Sequence, residues 1–461
     1  MFCGEVKPGR SLKSWAERQL SVGFVVGVLL LILTYLLASQ HFAFSGRSEM
    51  EEGLRYWAIT TDGQRITDKQ LIKSPGETEK GDVVCDTEGP FSDACEADGD
   101  VRINGTALSV AIVPTSWSEL REWSIRPYAR RNVSSVRNVT VTRLPDQAAA
   151  PPCTVTHDVP AVLFALGGYT GNFWHDFTDV LVPLFVASRR YAGEVRLLIS
   201  NINPWWMGKY DTLLRRLSRH DAVDLDGDAR VRCFPHVTVG LRMDREFTIV
   251  PERTPGGGRL TMADFTAFLR ETYALPRAAP VSLAREPERK PRLLLIHRGN
   301  YRRFVNEQEI ARAAEAAGFE VVVTEPRGDA RVDEEARAVN SFDVLVGVHG
   351  AGLTNAVFLP PGAVLVQVVP YGKLEPMARR EFGVPAADMG LRYLEYSVAA
   401  EESTLLEMLG PEHPAIRDPD SVHREGWDKV AEYYLGKQDV RVDVNRFAPT
   451  LALALDHLRR Q

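Results

Sequence analysis

Between Leu20 and Phe44 the chain has no Asp, Glu, Lys or Arg, and the centre of that run, Val22 to Ala38, reads VGFVVGVLLLILTYLLA. A helix of roughly 20 apolar residues crosses the hydrocarbon core of a bilayer, so a transmembrane anchor is predicted over 20–44. Lys7, Arg10, Lys13 and Arg18 precede it and Glu49, Glu51 and Glu52 follow. The positive-inside rule then leaves 1–19 as a cytosolic tail and sends the rest into the lumen. A cleaved signal peptide, with Ala43 and Ser45 as its small residues, is the alternative, but its apolar region would be longer than usual. Residues 45–80 are polar with few large apolar positions and read as a stem.

Beyond the stem the pattern changes to short apolar runs. Val101 to Val113 and Val136 to Thr142 alternate as strands do, and AVLFAL at Ala161 to Leu166 reads as a buried strand. His175 to Tyr191 has helical spacing, Val195 to Ile199 is a strand, and Tyr210 to His220 is helical again. The stretch ALPRAAPVSLAREPERKP, from Ala274 to Pro291, has no sustained period and predicts a linker over 276–290. After it come strand Arg292 to Ile296, helix Asn306 to Ala317, strand Glu320 to Thr324, a helix near Asp333 to Val339, and strands Phe342 to Val346 and Ala363 to Val369. Continuous apolar strands alternating with helices predict a parallel, doubly wound sheet. Asn306 and Glu309 have the spacing of a capping box. The chain is therefore divided into an α/β domain over 81–275, a linker, a Rossmann-type domain over 291–445, and a last helix within 446–461 that crosses back onto the first domain.

Composition narrows the class. With 461 residues, 44% hydrophobic and 25% charged, the chain has room for two cores, and its net charge of −6 does not advertise a nucleic-acid surface. Cys3 lies before the apolar run. Cys85, Cys95, Cys153 and Cys233 have no CxxC spacing and read as disulfide partners in an oxidising lumen, Cys85 with Cys95 favoured for proximity. N-glycosylation sequons start at Asn104, Asn132 and Asn138, in keeping with that compartment.

Three clusters carry candidate chemistry. The segment VGVHGAGLTNAVFL, from Val346, leaves a strand through His349, Gly350, Ala351, Gly352 and Leu353 and enters an apolar segment consistent with a helix. Its glycines allow backbone amides to approach a diphosphate, with Thr354 and Asn355 as hydrogen-bonding side chains. A tight turn that binds nothing is the competing reading. In IHRGNYRRFVNE, from Ile296, Arg298 and Arg302 follow a strand, where two guanidiniums neutralise a leaving diphosphate or else form a solvated charge run. GGYTGNFWHDFTD, from Gly167, places Asn172, His175, Asp176 and Asp179 at a strand end and helix start, suited to a general base or to ordinary capping. No third arm for a metal site is evident. Trp205 and Trp206 offer indole faces to sugar rings or to the core. The acidic run Asp224, Asp226 and Asp228 superficially matches a metal-binding DxD and reads better as a polar turn.

The ordered motifs VVCDTEGPFSDACEADGDVRI (from Val83), IRPYARR (from Ile125), GGYTGNFWHDFTDVLVPLF, HRGNYRRFVNE and HGAGLTNAVFLPPGAVLVQVVPYG (from His349) resemble glycosyltransferase family 61, particularly its plant branch of xylan-decorating enzymes. That resemblance implies a GT-B-like α/β architecture of two facing Rossmann-type domains, acceptor on the first and donor on the second, and inverting transfer without an essential metal or other cofactor. It implies a UDP-pentose donor, UDP-xylose or UDP-arabinofuranose, a xylan acceptor, and a single-pass type II protein of the Golgi membrane, open to complexes with other Golgi transferases. Protein-linked N- or O-glycans as acceptors, or a non-catalytic sugar-binding role in a synthase complex, are the alternatives. By similarity Arg298, Arg302 and His349 to Asn355 hold the diphosphate, and Glu325 or Gln367 touches ribose or sugar hydroxyls. Asn172, Trp205 and Trp206 face the acceptor. Among Asp179, His175 and Asp176, Asp179 is the favoured base. His297 stands where the family pattern has a small polar residue.

Overall fold

Two β-sheets organise the chain, seen in a computed structural model whose described residues are 81–325 and 331–461. The expected tail, anchor and stem, 1–80, lie outside the described residues. Among the described residues no helix is long and apolar enough to cross a membrane.

The first sheet contains β1 (Val83–Asp86), β2 (Ala94–Asn104), β3 (Ser109–Val113), β4 (Arg121–Ile125), β5 (Val139–Arg143), β6 (Val155–Thr156), β7 (Ala161–Ala165), β8 (Arg196–Ser200), β9 (Val223–Asp224) and β10 (Val231–Val239). Its order is β4-β5-β3-β2-β10-β7-β8-β9, with β1 paired to β2 and β6 to β10. Only the β10-β7-β8-β9 part is continuously parallel, whereas β2 runs antiparallel to β1, β3 and β10. The expected Rossmann-type parallel pairing is thus confined to that part, and the first sheet as a whole is mixed. The run Val101 to Val113 is likewise a hairpin, broken where Gly105 approaches the backbone of Leu225 and Asp228 too closely for any Cβ. Cys85 sits directly opposite Cys95 in the β1–β2 ladder, and the two are bonded, as are Cys153 and Cys233.

The second sheet is wholly parallel, with β11 (Arg292–Ile296), β12 (Glu320–Thr324), β13 (Val344–Val348), β14 (Val364–Val369) and β15 (Arg392–Ser397) in the order β12-β11-β13-β14-β15. Strands β13 and β14 are buried along their whole length, as expected of strands covered on both faces. The winding direction reverses between β11 and β13, so a crevice opens beyond Ile296 and Val348, the place where such sheets bind ligands.

The last helix, Val444–Arg459, does not return to the first sheet as expected. Its buried face, Phe447, Leu451, Ala454, Leu455 and Leu458, joins the core of the second sheet and packs on the helix Glu307–Ala317 and on β15. Those five apolar residues recur at helical spacing and complete that sheet's cover, while Ala448, Ala452 and Leu453 on the opposite face stay exposed. The capping box is also replaced: Asn306 Nδ2 donates to the Glu309 carboxylate and to the Val442 carbonyl, while its Oδ1 accepts from Val442 N–H, tying the chain before the last helix to this loop.

Two segments leave the α-helical path for the same local reason. In Asp176–Leu181 the Val182 N–H reaches back five residues to Phe177, and in Arg379–Gly383 the Val384 N–H reaches Arg379. Pro183 and Pro385 come next. A proline lacks the N–H that would bond the carbonyl four residues earlier and its ring crowds that carbonyl, so the turn widens into a π-bulge. The carbonyls concerned belong to Asp179 and Glu381.

Candidate functional site

The crevice at the end of β11 and β13 is built from strained backbone. Tyr301 and Arg302 are successive non-glycine residues with positive φ, 46° and 54°, each costing about 1–2 kcal/mol. Three backbone bonds hold the loop there: Arg302 N–H to Gln438, Val305 N–H to Val440, and Val440 N–H to Arg303. The bend turns the Arg302 guanidinium inward, where Nη1 donates to the His349 carbonyl at 2.8 Å. Gly350, with φ 145°, stands beneath both arginines. A Cβ there would lie 2.8 Å from Arg298 Nη1 and 3.0 Å from Arg302 Nη1. Burial and the neighbouring Arg298 charge lower the Arg302 pKa from 12.5 to about 9, and burial lowers that of Arg298. Two partly desolvated cations thus face one glycine turn, an arrangement that favours a polyanion.

The expected helix after Gly350 is a 3-10 helix, Ala351–Phe358. Leu353 is buried, with its side chain over Gly347, while Ala351 and Gly352 are half-buried. Thr354 Oγ1, Asn355 Oδ1 and Arg302 Nε are buried without a hydrogen-bond partner among the described residues. Such atoms are costly unless a ligand or solvent satisfies them.

Gln367 cannot touch a ribose, contrary to expectation. It is fully buried beneath His349, its Nε2 donating to His349 Nδ1 at 2.7 Å while its Oε1 accepts from the Tyr393 hydroxyl at 2.9 Å. Because an amide nitrogen only donates, Nδ1 must accept, and the neutral ring carries its proton on Nε2. Burial, then the Arg302 and Arg298 charges, push the His349 pKa far down and keep the ring neutral. Glu325 lies exposed at the mouth, accepting from Gly299 N–H at 3.0 Å. His297 pairs with Glu307 at 2.7 Å, which gives that position a local structural partner.

Across from this loop stands the helix start Phe173–His175, capped by Asn172, whose side chain accepts from Trp174 N–H. It packs against Ala351–Phe358, and Phe177 meets Phe358 edge-on at 6.0 Å. Asp179, the favoured base, is completely buried and fully engaged: it accepts from Tyr128 Oη at 2.8 Å and Arg130 Nε at 3.0 Å, and contacts His175 Nδ1 at 2.9 Å. Although burial opposes ionisation, the Arg130 and His175 contacts prevail and lower its pKa to about 2. A carboxylate so held neither reaches a hydroxyl nor takes its proton. His175, 20% exposed, is the member of the pair that solvent reaches. Asp176 is equally committed, to Trp206 Nε1, Tyr210 Oη and Gly171 N–H. Trp206 is therefore core, whereas Trp205 is half exposed with the Lys209 ammonium 5.0 Å above its ring.

The two halves meet through residues that the sequence reading did not single out. Arg130 bridges Asp179 to Glu246, and Glu246 continues to Arg380 Nε at 3.1 Å. Glu381, the next residue, lies 3.6 Å from His349 Nε2. Arg130 stood in the IRPYARR motif, but nothing in its spacing told that it links two acids. Glu381 had one legible signal, a proline four residues on, as Asp179 has. The acidic turn is consumed structurally: Asp226 accepts from Asn201 N–H and pairs with Arg137, and Asp228 pairs with Arg230 and Arg232. Of the sequon asparagines, Asn104 accepts from Thr106 and Ala107, and Asn138 bonds Arg126 and Ser124 at the surface.

The family model described as Glycosyltransferase 61 matches residues 173–366, a span that starts at the His175 helix and ends in β14. A beta-1,2-xylosyltransferase of Oryza sativa subsp. japonica is 45% identical over 396 residues, 81% of this chain and 84% of that protein. An alpha-1,3-arabinosyltransferase of the same organism is 45% identical over 81% of this chain and 65% of its own length. A xylan glycosyltransferase of Arabidopsis thaliana is 32% identical over 82% and 81%. With identity of this extent running through both sheets, the protein is a glycosyltransferase and belongs to glycosyltransferase family 61.

Proposed function

We propose that this protein is an inverting transferase that moves a pentose, xylose or arabinofuranose, from a UDP-sugar to xylan, in a GT-B-like arrangement with the donor on the second sheet. The observation that carries this reading is the convergence of Arg298 and Arg302 on Gly350, at the switch point of a parallel sheet. Charge of that sign, in a crevice with unsatisfied polar atoms, suits a nucleoside diphosphate. The relatives' names supply the xylan acceptor and the pentose.

In this reading an acceptor hydroxyl loses its proton to His175 Nε2 as its oxygen bonds the anomeric carbon, and the bond from that carbon to the diphosphate breaks. Asp179 holds the imidazole so that Nδ1 carries a proton and Nε2 is free, and it stabilises the imidazolium that forms. Arg298, Arg302 and the amides after Gly350 receive the charge on departing UDP. Trp205 offers its exposed face to the acceptor. The protein is further proposed to be a Golgi type II membrane protein, the apolar run 20–44 being its anchor, with N-glycans on the sequons.

Thermal shifts of the full chain with UDP, UDP-xylose, UDP-arabinofuranose and UDP-GlcNAc, followed by transfer assays on xylo-oligosaccharides, test the proposal. Stabilisation by UDP and by one pentose donor is expected. No shift with any of the four rejects it.

A further inference from the structure

Glu381 shares its local device with Asp179. Each acid sits in a π-bulge four residues before a proline, in the runs DVLVP and EFGVP. The two devices stand on opposite halves and point to the same guanidinium, since Arg130 binds Asp179 and its charge is felt by Glu381. Their surroundings differ in one respect. Asp179 has three partners, whereas Glu381 makes no hydrogen bond to any described residue, its nearest polar contact being His349 Nε2 at 3.6 Å. Its side chain is 18% exposed, beside the His349 ring that follows β13. Phe382 fixes the backbone beneath it, packing edge-on against both His349 and Phe247. A carboxyl positioned with this care and left without a protein partner is placed for a ligand.

We propose, resting on the donor reading above, that Glu381 is a further catalytic residue: as a carboxylic acid it donates a hydrogen bond to a phosphate oxygen of the departing UDP, beside Arg302 and the His349 Nε2–H. The groups facing it are His349 and Arg302 from the donor side, Arg380 from its own turn, and Glu246 and Arg130 from the first half. Burial first, then the Glu246 carboxylate, outweigh the three cations and push its pKa up to about 8. An incoming diphosphate adds negative charge and raises proton affinity further, so the acid stays protonated when UDP is bound. Ionised, it would cancel part of the positive charge that the site directs at the phosphates. Protonated, it donates a bond that strengthens as charge develops on the leaving group, while its proton remains on the carboxyl.

UDP affinity of the full chain, measured by calorimetry between pH 6.5 and 9, tests this whatever sugar the enzyme uses. Wild-type affinity is expected to fall as pH rises past the point where Glu381 ionises. Glu381→Ala loses about tenfold at pH 7, and Glu381→Gln, a neutral donor of the same reach, recovers most of that loss with a profile that stays flat up to about pH 8 and falls only toward pH 9, where Arg302 titrates. With UDP-xylose as donor probe, kcat follows the same ranking. Glu381→Gln as impaired as Glu381→Ala, or a wild-type profile that both variants reproduce, overturns the proposal alone. Absence of UDP binding by the wild type at every pH overturns the donor reading and this proposal together.

Discussion

His175 Nδ1 lies 2.9 Å from Asp179 Oδ2, one wide helical turn away, and Arg130 clamps the other side of the same carboxylate. In the proposed dyad the fully covered acid orients the imidazole, which is the partly exposed member of the pair. His175→Ala is therefore expected to lower kcat by about 10²–10⁴ with a folded protein. Asp179→Asn is expected to lower kcat and also to destabilise the fold by about 3–5 kcal/mol, because the buried Arg130 loses a charge partner. Kinetics and denaturant unfolding on both variants separate the roles. A stable, active Asp179→Asn protein contradicts the dyad.

Arg302 tests the donor crevice from the other side. Its guanidinium is buried, bonded to the His349 carbonyl and opposed by Arg298, so its removal relieves charge strain while deleting a phosphate contact. Arg302→Ala is expected to abolish the UDP-induced rise in Tm and to leave the Tm of the free protein unchanged or higher. A retained UDP shift would mean that the phosphates bind elsewhere.

Gly350→Ala asks whether the glycine turn is needed for itself. The added methyl meets Arg298 Nη1 at 2.8 Å, and φ of 145° resists any side chain. The expected cost is about 1–3 kcal/mol of backbone strain together with loss of UDP binding. Gly208→Ala is the control, since a Cβ there meets nothing within 4 Å and the helix Pro204–Lys209 tolerates it. Equal UDP affinity in the two variants would remove the turn from the site.

How far these features were legible depends on the range of the interaction that makes them. The strands Arg292–Ile296 and Glu320–Thr324 and the helix Glu307–Ala317 were readable because apolar runs and local period define them. The positions of Arg298, Arg302 and Gly350 were readable too, since chain order alone puts the ends of β11 and β13 side by side in a doubly wound sheet. Which of Asp179 and His175 is covered was not legible, because the sequence only spaces the two on one face. Tyr128 and Arg130, about fifty residues earlier, decide that. β15 was not read because its run RYLEYS carries charged residues among the apolar ones, and the helices between Glu375 and Glu425 because they are short and irregular. The mixed character of the first sheet was missed since pairing direction is set by partners distant in sequence, such as β2 with β10.

The two disulfides differ in the loop they close, 80 residues for Cys153–Cys233 and 10 for Cys85–Cys95. Chain entropy grows with the logarithm of loop length, so removal of the longer link is expected to cost about 4–5 kcal/mol and of the shorter about 2–3 kcal/mol. Both links brace the strands flanking β2, because Cys95 lies in β2 and Cys233 in its neighbour β10. Paired serine substitutions, Cys153→Ser with Cys233→Ser and Cys85→Ser with Cys95→Ser, compared by denaturant unfolding, check the ranking. A larger loss from the shorter loop would reject the entropic account here.

Stability should also record the protonation of Glu381, independently of any ligand. Its pKa rises from 4.5 unfolded to about 8 folded, so between those values the native state holds a proton that the unfolded chain has released. The slope of unfolding free energy against pH is then negative: this group costs stability progressively from about pH 4.5 upward and the cost levels off above about 8. Asp179 acts with the opposite sign and elsewhere, since a pKa lowered from 3.8 to about 2 gives stability that is complete above 3.8 and disappears as pH falls toward 2. Glu381→Gln deletes the first contribution and leaves the second. Its Tm should match wild type near pH 4.5, exceed it increasingly up to pH 8, and follow the same acid unfolding below pH 4. A Tm difference that stays constant from pH 4.5 to 8 would mean that the Glu381 carboxyl ionises in the folded protein as it does in water, and its role as a neutral donor would fall with it.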